Sequence, residues 1–245
     1  MQLDELCHFC NEYLSIEDFT DYCPNGLQVE GRDTVHHLVS GVTASLELIE
    51  DAIELDADAI LVHHGYFWKG EAQPLTGFKG RRVRALMQND ISLLAYHLPL
   101  DAHPGVGNNA QLAQRMGWLV TGQHGLLWVG ELEQVQSAQQ VMEHLGEQID
   151  SNPLLIEAGT RPVRRLAWCS GAAQSSIDDA QALGVDLYVS GEISEHTVHF
   201  ARETGIHYIA AGHHATERYG VQALGELLAE RFSIKHSYVD IDNPV

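Results

Sequence analysis

Short apolar runs alternate along this chain with longer segments whose apolar residues recur at helical spacing. Six runs have the length and composition of buried strands, namely 38–42, 59–62, 91–95, 166–169, 187–189 and 206–211. The segments predicted as helices are 45–55, 81–88, 109–116, 175–183, 194–203 and 215–231. Because strands that alternate with helices form parallel sheets, the pattern predicts an α/β protein with a largely parallel sheet.

One part of this pattern occurs twice. The segment LVSGVTASLELIEDAIELDADAILVHHG, from Leu38, resembles LAWCSGAAQSSIDDAQALGVDLYVSGE, from Leu166, and the second strands of the two segments start at Asp58 and Asp186. The alternative is that strand–turn–helix units resemble one another in any α/β protein. We interpret the similarity as an internal repeat that forms two similar α/β lobes.

The segment between the two copies has no counterpart in the repeat. It contains a predicted strand, LLWVGE, and a predicted helix, SAQQVMEHLG. We therefore expect a first lobe over residues 1–121, a connecting insert over 122–162 and a second lobe over 163–245.

The charge of the chain narrows the classes of partner. Lys and Arg number 14 and Asp and Glu number 34, so the formal net charge is −20. A surface this acidic opposes binding to nucleic-acid phosphates and to anionic membranes. The chain also carries 15 histidines, and neutral imidazole is the commonest metal ligand.

The expected compartment is the cytoplasm. The four cysteines do not form the dense pattern of a disulfide framework. The acidic N-terminus lacks the basic and apolar regions of a signal peptide, and no run reaches the ~18 apolar residues of a membrane span.

Two strands of the first lobe end in histidines. His63 and His64 follow the apolar run AILV, and His97 ends the run ISLLAYH. Open α/β sheets bind ligands at the carboxyl ends of their strands. Asp101 lies four residues beyond His97, across Pro99, which predicts a turn rather than a helix. Asp101 is either an oxygen ligand or a cap of the following helix.

In the second lobe, the segment GHHATE has the residue spacing that is most specific for a metal site. It follows the apolar run YIAA and precedes a predicted helix. His213 and Glu217 are four residues apart, so at the start of a helix they share one face and can bind one ion. Glu192, at the end of the preceding strand, is either a general acid or base or a charged residue near a helix N-terminus.

Five of these positions predict a metal-binding cleft with three imidazoles and two carboxylates: His63, His64, Asp101, His213 and Glu217, with His97 as a further histidine. A nitrogen and oxygen donor set without thiolates suits Zn, Mn, Fe, Co or Ni. Five side chains on two such ions would leave positions for water, as in two-metal hydrolases.

Several segments resemble the YbgI branch of the Nif-three-like family, whose members are often named GTP cyclohydrolase 1 type 2 homologues. The resemblance runs along essentially the whole chain in order. It rests on NGLQVEG, GVTAS, VHHGYFWKGE, HLPLDAHPGVGNN, SGE and GHHATER.

The resemblance implies two α/β lobes around a dinuclear centre of divalent transition metals, and a ring-like homohexamer. The ligands that it implies are His63, His64, Asp101, His213 and Glu217, with His97 beside the metals. Residues 122–162 resemble the family least.

Two classes of function follow as expectations. In the first, the protein is a metal-dependent hydrolase of a nucleotide-like or other small substrate, in which metal-activated water attacks and His97 or Glu192 transfers the proton. In the second, the same site stores or delivers metal, or belongs to a ring-shaped scaffold, without chemistry. Absence of turnover with both metals loaded would favour the second class.

Overall fold

The computed structural model describes all residues, Met1–Val245, and contains nine α-helices and eleven β-strands. The helices are α1 (Leu3–Tyr13), α2 (Leu46–Glu54), α3 (Gly77–Gln88), α4 (Leu98–Ala102), α5 (Asn108–Met116), α6 (Ala138–Ile149), α7 (Ile177–Ala182), α8 (Glu195–Thr204) and α9 (His213–Phe232). The strands are β1 (Gly26–Val29), β2 (His37–Thr43), β3 (Ala59–His64), β4 (Ser92–Ala95), β5 (Leu119–His124), β6 (Leu127–Gln136), β7 (Leu154–Ile156), β8 (Val163–Cys169), β9 (Leu187–Ser190), β10 (His207–Ala210) and β11 (Lys235–Tyr238). The α/β class is therefore confirmed.

The chain divides into two compact units, each built around its own sheet. The first unit comprises residues 1–107 and 218–242, and the second comprises 108–217 and 243–245. The first sheet has the order β1-β4-β3-β2-β11, and the second has the order β5-β6-β8-β9-β10-β7.

Helices cover both faces of the first sheet. Its four strands β4, β3, β2 and β11 are parallel, and β1 is antiparallel at the edge. Alternate residues of β3 enter different cores: Leu61 packs with side chains of α1 and α9, whereas Ile60 and Val62 pack with side chains of α2 and α3. Burial on both faces explains why these strands read as continuous apolar runs.

The second sheet combines a parallel centre with antiparallel edges. Strands β8, β9 and β10 are parallel, whereas β5, β6 and β7 run antiparallel to their neighbours. Tyr188 and Tyr208 pack with Ile177 and Ala180 of α7 on one face. Trp168 is fully buried, and its indole nitrogen donates a hydrogen bond to the carbonyl oxygen of Asn109.

The unit boundaries differ from the segments expected from the sequence. Residues 122–162 are not a separate insert, because β5, β6 and β7 are hydrogen-bonded strands of the second sheet. Residues 218–242 belong to the first unit, because β11 pairs with β2 and the C-terminal part of α9 packs in the first core.

The segment after β4 corrects one prediction. Residues 98–102 form the short helix α4, whereas the proline was expected to impose a turn. Pro99 lies in the first turn of this helix, where a backbone N–H has no intrahelical partner and the proline ring costs nothing. Asp101 is consequently a helical residue and is 5% exposed.

The two aspartates aligned by the repeat make the same contact in each unit. One oxygen of Asp58 accepts hydrogen bonds from the backbone N–H groups of His36 and His37, at 2.7 and 3.0 Å. One oxygen of Asp186 accepts from the N–H groups of Arg164 and Arg165, both at 2.9 Å. Each carboxylate thus ties the start of its strand to the start of the preceding strand, in agreement with an internal repeat.

We expect Asp58→Asn to destabilise the protein at neutral pH and to lose this effect in acid. Hydrogen bonds from His36, His37 and Arg32 outweigh burial and lower the pKa of Asp58. A carboxyl group whose pKa is lower in the folded state stabilises the fold above its unfolded pKa, and this contribution disappears as the pH falls through the folded pKa. Urea unfolding at pH 7 should show a loss of about 1–3 kcal/mol.

The difference in the free energy of unfolding between wild type and variant should become smaller at pH values below about 4. Asp33→Asn is the matched control, because Asp33 is an exposed carboxylate on the loop before β2, close in sequence to the His36 and His37 N–H groups that Asp58 binds. An equal difference in the free energy of unfolding at pH 7 and at pH 3.5 would contradict the role assigned to the Asp58 charge.

None of the helices is both long enough and apolar enough to span a membrane.

Candidate metal centre

Two histidines lie where β3 ends in the first unit. His63 is fully buried, and its Nδ1 lies 2.9 Å from the backbone carbonyl oxygen of Tyr96. A carbonyl oxygen only accepts hydrogen bonds, so Nδ1 of His63 carries the proton and Nε2 offers the lone pair. His64 places its Nδ1 3.2 Å from the hydroxyl oxygen of Thr43 on β2. The two rings are 4.6 Å apart between centroids, although adjacent strand residues alternate between faces.

His97 joins these two histidines from the end of the neighbouring strand. Its ring lies 5.0 Å from that of His63 and 5.7 Å from that of His64. One ring nitrogen of each of the three lies within 4.8 Å of those of the other two. The indole of Trp68 stands nearly perpendicular to the His97 ring, at 86° and 5.0 Å.

The carboxylate of the first unit is Asp101 in α4. Its Oδ1 lies 3.5 Å from Nε2 of His63, and both side chains are almost completely buried. The first unit therefore brings together all four of its predicted site residues, His63, His64, His97 and Asp101.

The second unit contains a matching pair. His213 and Glu217 occupy successive turns at the start of α9, with Nε2 of His213 3.1 Å from a carboxylate oxygen of Glu217. The predicted shared helix face is thus present. The side chain of Glu217 is 3% exposed, whereas that of His213 is 25% exposed.

Glu192 orients His213 from the other side of its ring. Its Oε1 lies 2.7 Å from Nδ1 of His213, so this nitrogen carries the proton and Nε2 faces Glu217. A carboxylate in this position resembles the acceptors that orient metal-binding histidines in other proteins. This contact makes Glu192 an orienting group for His213.

The charge on His213 depends on both carboxylates. Burial lowers the pKa of His213, but the hydrogen bonds and charges of Glu217 and Glu192 outweigh burial and raise this pKa to about 9. A metal ion binds only neutral imidazole, so binding to His213 would displace a proton at pH 7.

Glycine is required beside the carboxylate of Glu217. Gly171 has φ +65°, and a Cβ atom at this position would overlap Oε1 of Glu217 and lie 3.3 Å from Nε2 of His213. A Cβ atom at Gly191 would approach the backbone of Gly171 and His213 to less than 3 Å. The glycines of the two segments CSGAA and VSGEI therefore form a cradle that any side chain would fill.

The residues of both units fit a transition-metal ion. Each unit presents a histidine Nε2 next to a carboxylate oxygen. Such nitrogen and oxygen donors suit Zn, Fe, Mn, Co or Ni.

The sequence pattern did not predict two residues that contact the site histidines. Asp21, on the loop before β1, lies 2.7 Å from Nδ1 of His97. Thr43 lies in the GVTAS segment that resembles the family, and its contact with His64 has no signal of its own in the sequence. The only signal for both was their place within or next to segments that resemble the family.

Comparison with known proteins agrees with this architecture. The chain matches the family described as Duf34/NIF3 (NGG1p interacting factor 3) over residues 1–244. A protein of Pseudomonas aeruginosa named "GTP cyclohydrolase 1 type 2 homolog" is 54% identical over 248 residues, which cover 99% of this chain and 98% of that protein.

Two solved structures share the fold over the full length. The structure titled "Structural genomics, protein ybgI, unknown function" has a TM-score of 0.98 and 47% identity, and covers 100% of both chains. A protein from Thermus thermophilus has a TM-score of 0.92 and 35% identity, again with 100% coverage of both chains. The chain therefore belongs to the Duf34/NIF3 family.

Proposed function

We propose that this protein is a metal-dependent hydrolase of a small, nucleotide-like substrate, with two divalent transition-metal ions. The proposed metal ligands are His63, His64, Asp101, His213 and Glu217. One observation carries the proposal: the three ligand histidines, His63, His64 and His213, each place Nδ1 against an oxygen atom, and the partners are Tyr96, Thr43 and Glu192 in that order. This pattern is typical of metal-binding histidines, whose second nitrogen then faces the metal.

Two bound ions would supply Lewis acidity and lower the pKa of bound water. The remaining chemistry belongs to the side chains of the chain. His97, whose ring lies beside those of His63 and His64, accepts a proton from the attacking water and returns it to the leaving group. Glu192 holds His213 in the tautomer whose Nε2 faces Glu217.

The test combines metal content with a substrate panel. The wild-type protein, loaded with Zn, Mn or Fe, is incubated with GTP, other nucleotides, phosphoesters and cyclic amides, and the products are followed by liquid chromatography. GTP heads the panel because the curated relatives carry the name "GTP cyclohydrolase 1 type 2 homolog". We expect about two ions per chain and a product from at least one substrate.

His97→Gln should abolish product formation without loss of metal. The matched control is His8→Gln, because His8 is an exposed histidine of α1 paired with Glu12. Absence of product across the panel with both metals loaded would exclude the hydrolase proposal. Metal that exchanges readily in that case would support storage or delivery of metal instead. The ring-like homohexamer stays a prediction, which mass measurement in solution can check.

A further inference from the structure

Asp21, which is not a proposed metal ligand, makes a short polar contact with one of the histidines of the first unit. Asp21 follows a short 3₁₀ turn (Ile16–Asp18), and its side chain is 3% exposed. Its Oδ1 lies 2.7 Å from Nδ1 of His97, and its Oδ2 accepts a hydrogen bond from the backbone N–H of Leu98 at 3.0 Å. The carboxylate thus contacts both the ring and the following backbone of the segment that carries His97.

Asn25 completes this arrangement. Its amide nitrogen donates to Oδ2 of Asp21 at 2.9 Å, and its amide oxygen accepts from the backbone N–H of His97 at 2.7 Å. The indole of Trp68 stands against the His97 ring from another direction. The ring, its backbone and the carboxylate are therefore held in one connected set of contacts.

The carboxylate of Asp21 is ionised at neutral pH. Burial raises the pKa of Asp21, but hydrogen bonds from His97, Asn25 and the Leu98 N–H lower it to about 2. An ionised carboxylate only accepts hydrogen bonds, so Nδ1 of His97 must carry the proton. Nε2 of His97 is then the nitrogen with the lone pair.

We propose that Asp21 is a positioning residue, which fixes His97 as the Nδ1–H tautomer and so presents Nε2 to the reacting groups; this inference rests on the proposed hydrolase function. In the reaction, an O–H bond of water breaks, the proton moves to Nε2 of His97, and the imidazolium that forms keeps its Nδ1 proton. Asp21 stays ionised and stabilises that imidazolium. The Asp–His–Ser triad of serine proteases uses a carboxylate in the same way.

The test is Asp21→Asn, which keeps the size of the side chain but can donate a hydrogen bond to Nδ1. Histidine side chains labelled with ¹⁵N report their tautomers in the metal-free protein, and His97→Gln assigns the signal of His97. We expect Nδ1–H in the wild type and Nε2–H in Asp21→Asn. With metal loaded, turnover should fall on the order of 10²–10⁴-fold. Asp18→Asn, an exposed neighbour, should change neither result.

Two outcomes would overturn the inference: a wild-type His97 protonated at Nε2, or an Asp21→Asn variant that keeps the Nδ1–H signal. The first of these needs only the wild-type spectrum, assigned with His97→Gln, so it does not depend on folding of Asp21→Asn. The tautomer measurement needs neither metal nor substrate. It therefore decides the role of Asp21 separately from the substrate panel, which decides whether the protein is a hydrolase.

Discussion

Glu217→Gln should reduce the metal content from about two ions per chain to at most one. Glu217 is the carboxylate of the second unit, and its oxygen lies 3.1 Å from Nε2 of His213. The neutral amide is a much weaker ligand for a transition-metal ion than a carboxylate, and its NH₂ group can point at the cation. Metal content per chain is measured by elemental mass spectrometry on protein purified without added metal.

The loss of metal should not reflect a loss of folding. In metal-free protein the substitution breaks the ion pair between Glu217 and His213, whose pKa of about 9 leaves it protonated at pH 7, but Glu192 remains as a carboxylate partner of His213. We therefore expect the variant to fold, with an unfolding midpoint in the presence of chelator below that of the wild type. Glu226→Gln, at an exposed position of the same helix, is the control and should retain both ions. Full metal content in Glu217→Gln would contradict the proposed ligand set.

The spacing of residues along the chain was sufficient to predict the local parts of the candidate site. His213 and Glu217 lie on successive turns of one helix, and His63 and His64 lie at the end of one strand. The spacing of the residues and their place in the helix or strand determine such arrangements, because a helix places residues i and i+4 on one face. The same reasoning failed at Pro99, where a proline in the first helical turn is compatible with the helix.

Contacts between distant segments could not be predicted from the pattern. Asp21 and His97 are 76 residues apart. The apolar residues of the loop TDYCPN around Asp21 do not recur at a regular spacing, so the sequence does not indicate where the Asp21 side chain points. The edge strands of the second sheet were also missed as part of that sheet. The membership of β7 depends on its pairing with β10, which lies about fifty residues further along the chain. Such pairings depend on tertiary structure and leave no periodic signal.

Gly171→Ala should remove the ion bound by His213 and Glu217 and should also destabilise the protein. The new Cβ atom would occupy the place of Oε1 of Glu217. The backbone cannot easily move away, because Gly171 donates a hydrogen bond to the hydroxyl of Thr216 at 3.0 Å, and its carbonyl oxygen accepts from the N–H of Gly191 at 2.9 Å. The carboxylate must therefore turn away from His213.

A second glycine, Gly184, provides a control that separates the clash with Glu217 from the cost of a left-handed backbone conformation. Gly184 has φ +68°, nearly the value of Gly171, but a Cβ atom there would have only a side-chain nitrogen of Arg165 near it, at 3.9 Å. Gly184→Ala should cost about 1–2 kcal/mol from the left-handed backbone alone and should keep both metal ions. Gly171→Ala has the same backbone cost and, in addition, the clash of its Cβ atom with Glu217. Its loss of unfolding free energy in urea should therefore be larger, and its metal content should fall to at most one ion per chain. Equal stability and equal metal content in the two variants would show that the space beside Glu217 is not needed, and the cradle would have no role in binding. A larger loss of stability and of metal in Gly171→Ala than in Gly184→Ala would mean that the second unit needs the space beside Glu217 to bind its ion. The absence of a side chain at Gly171 would then be as necessary for binding as the two ligands themselves.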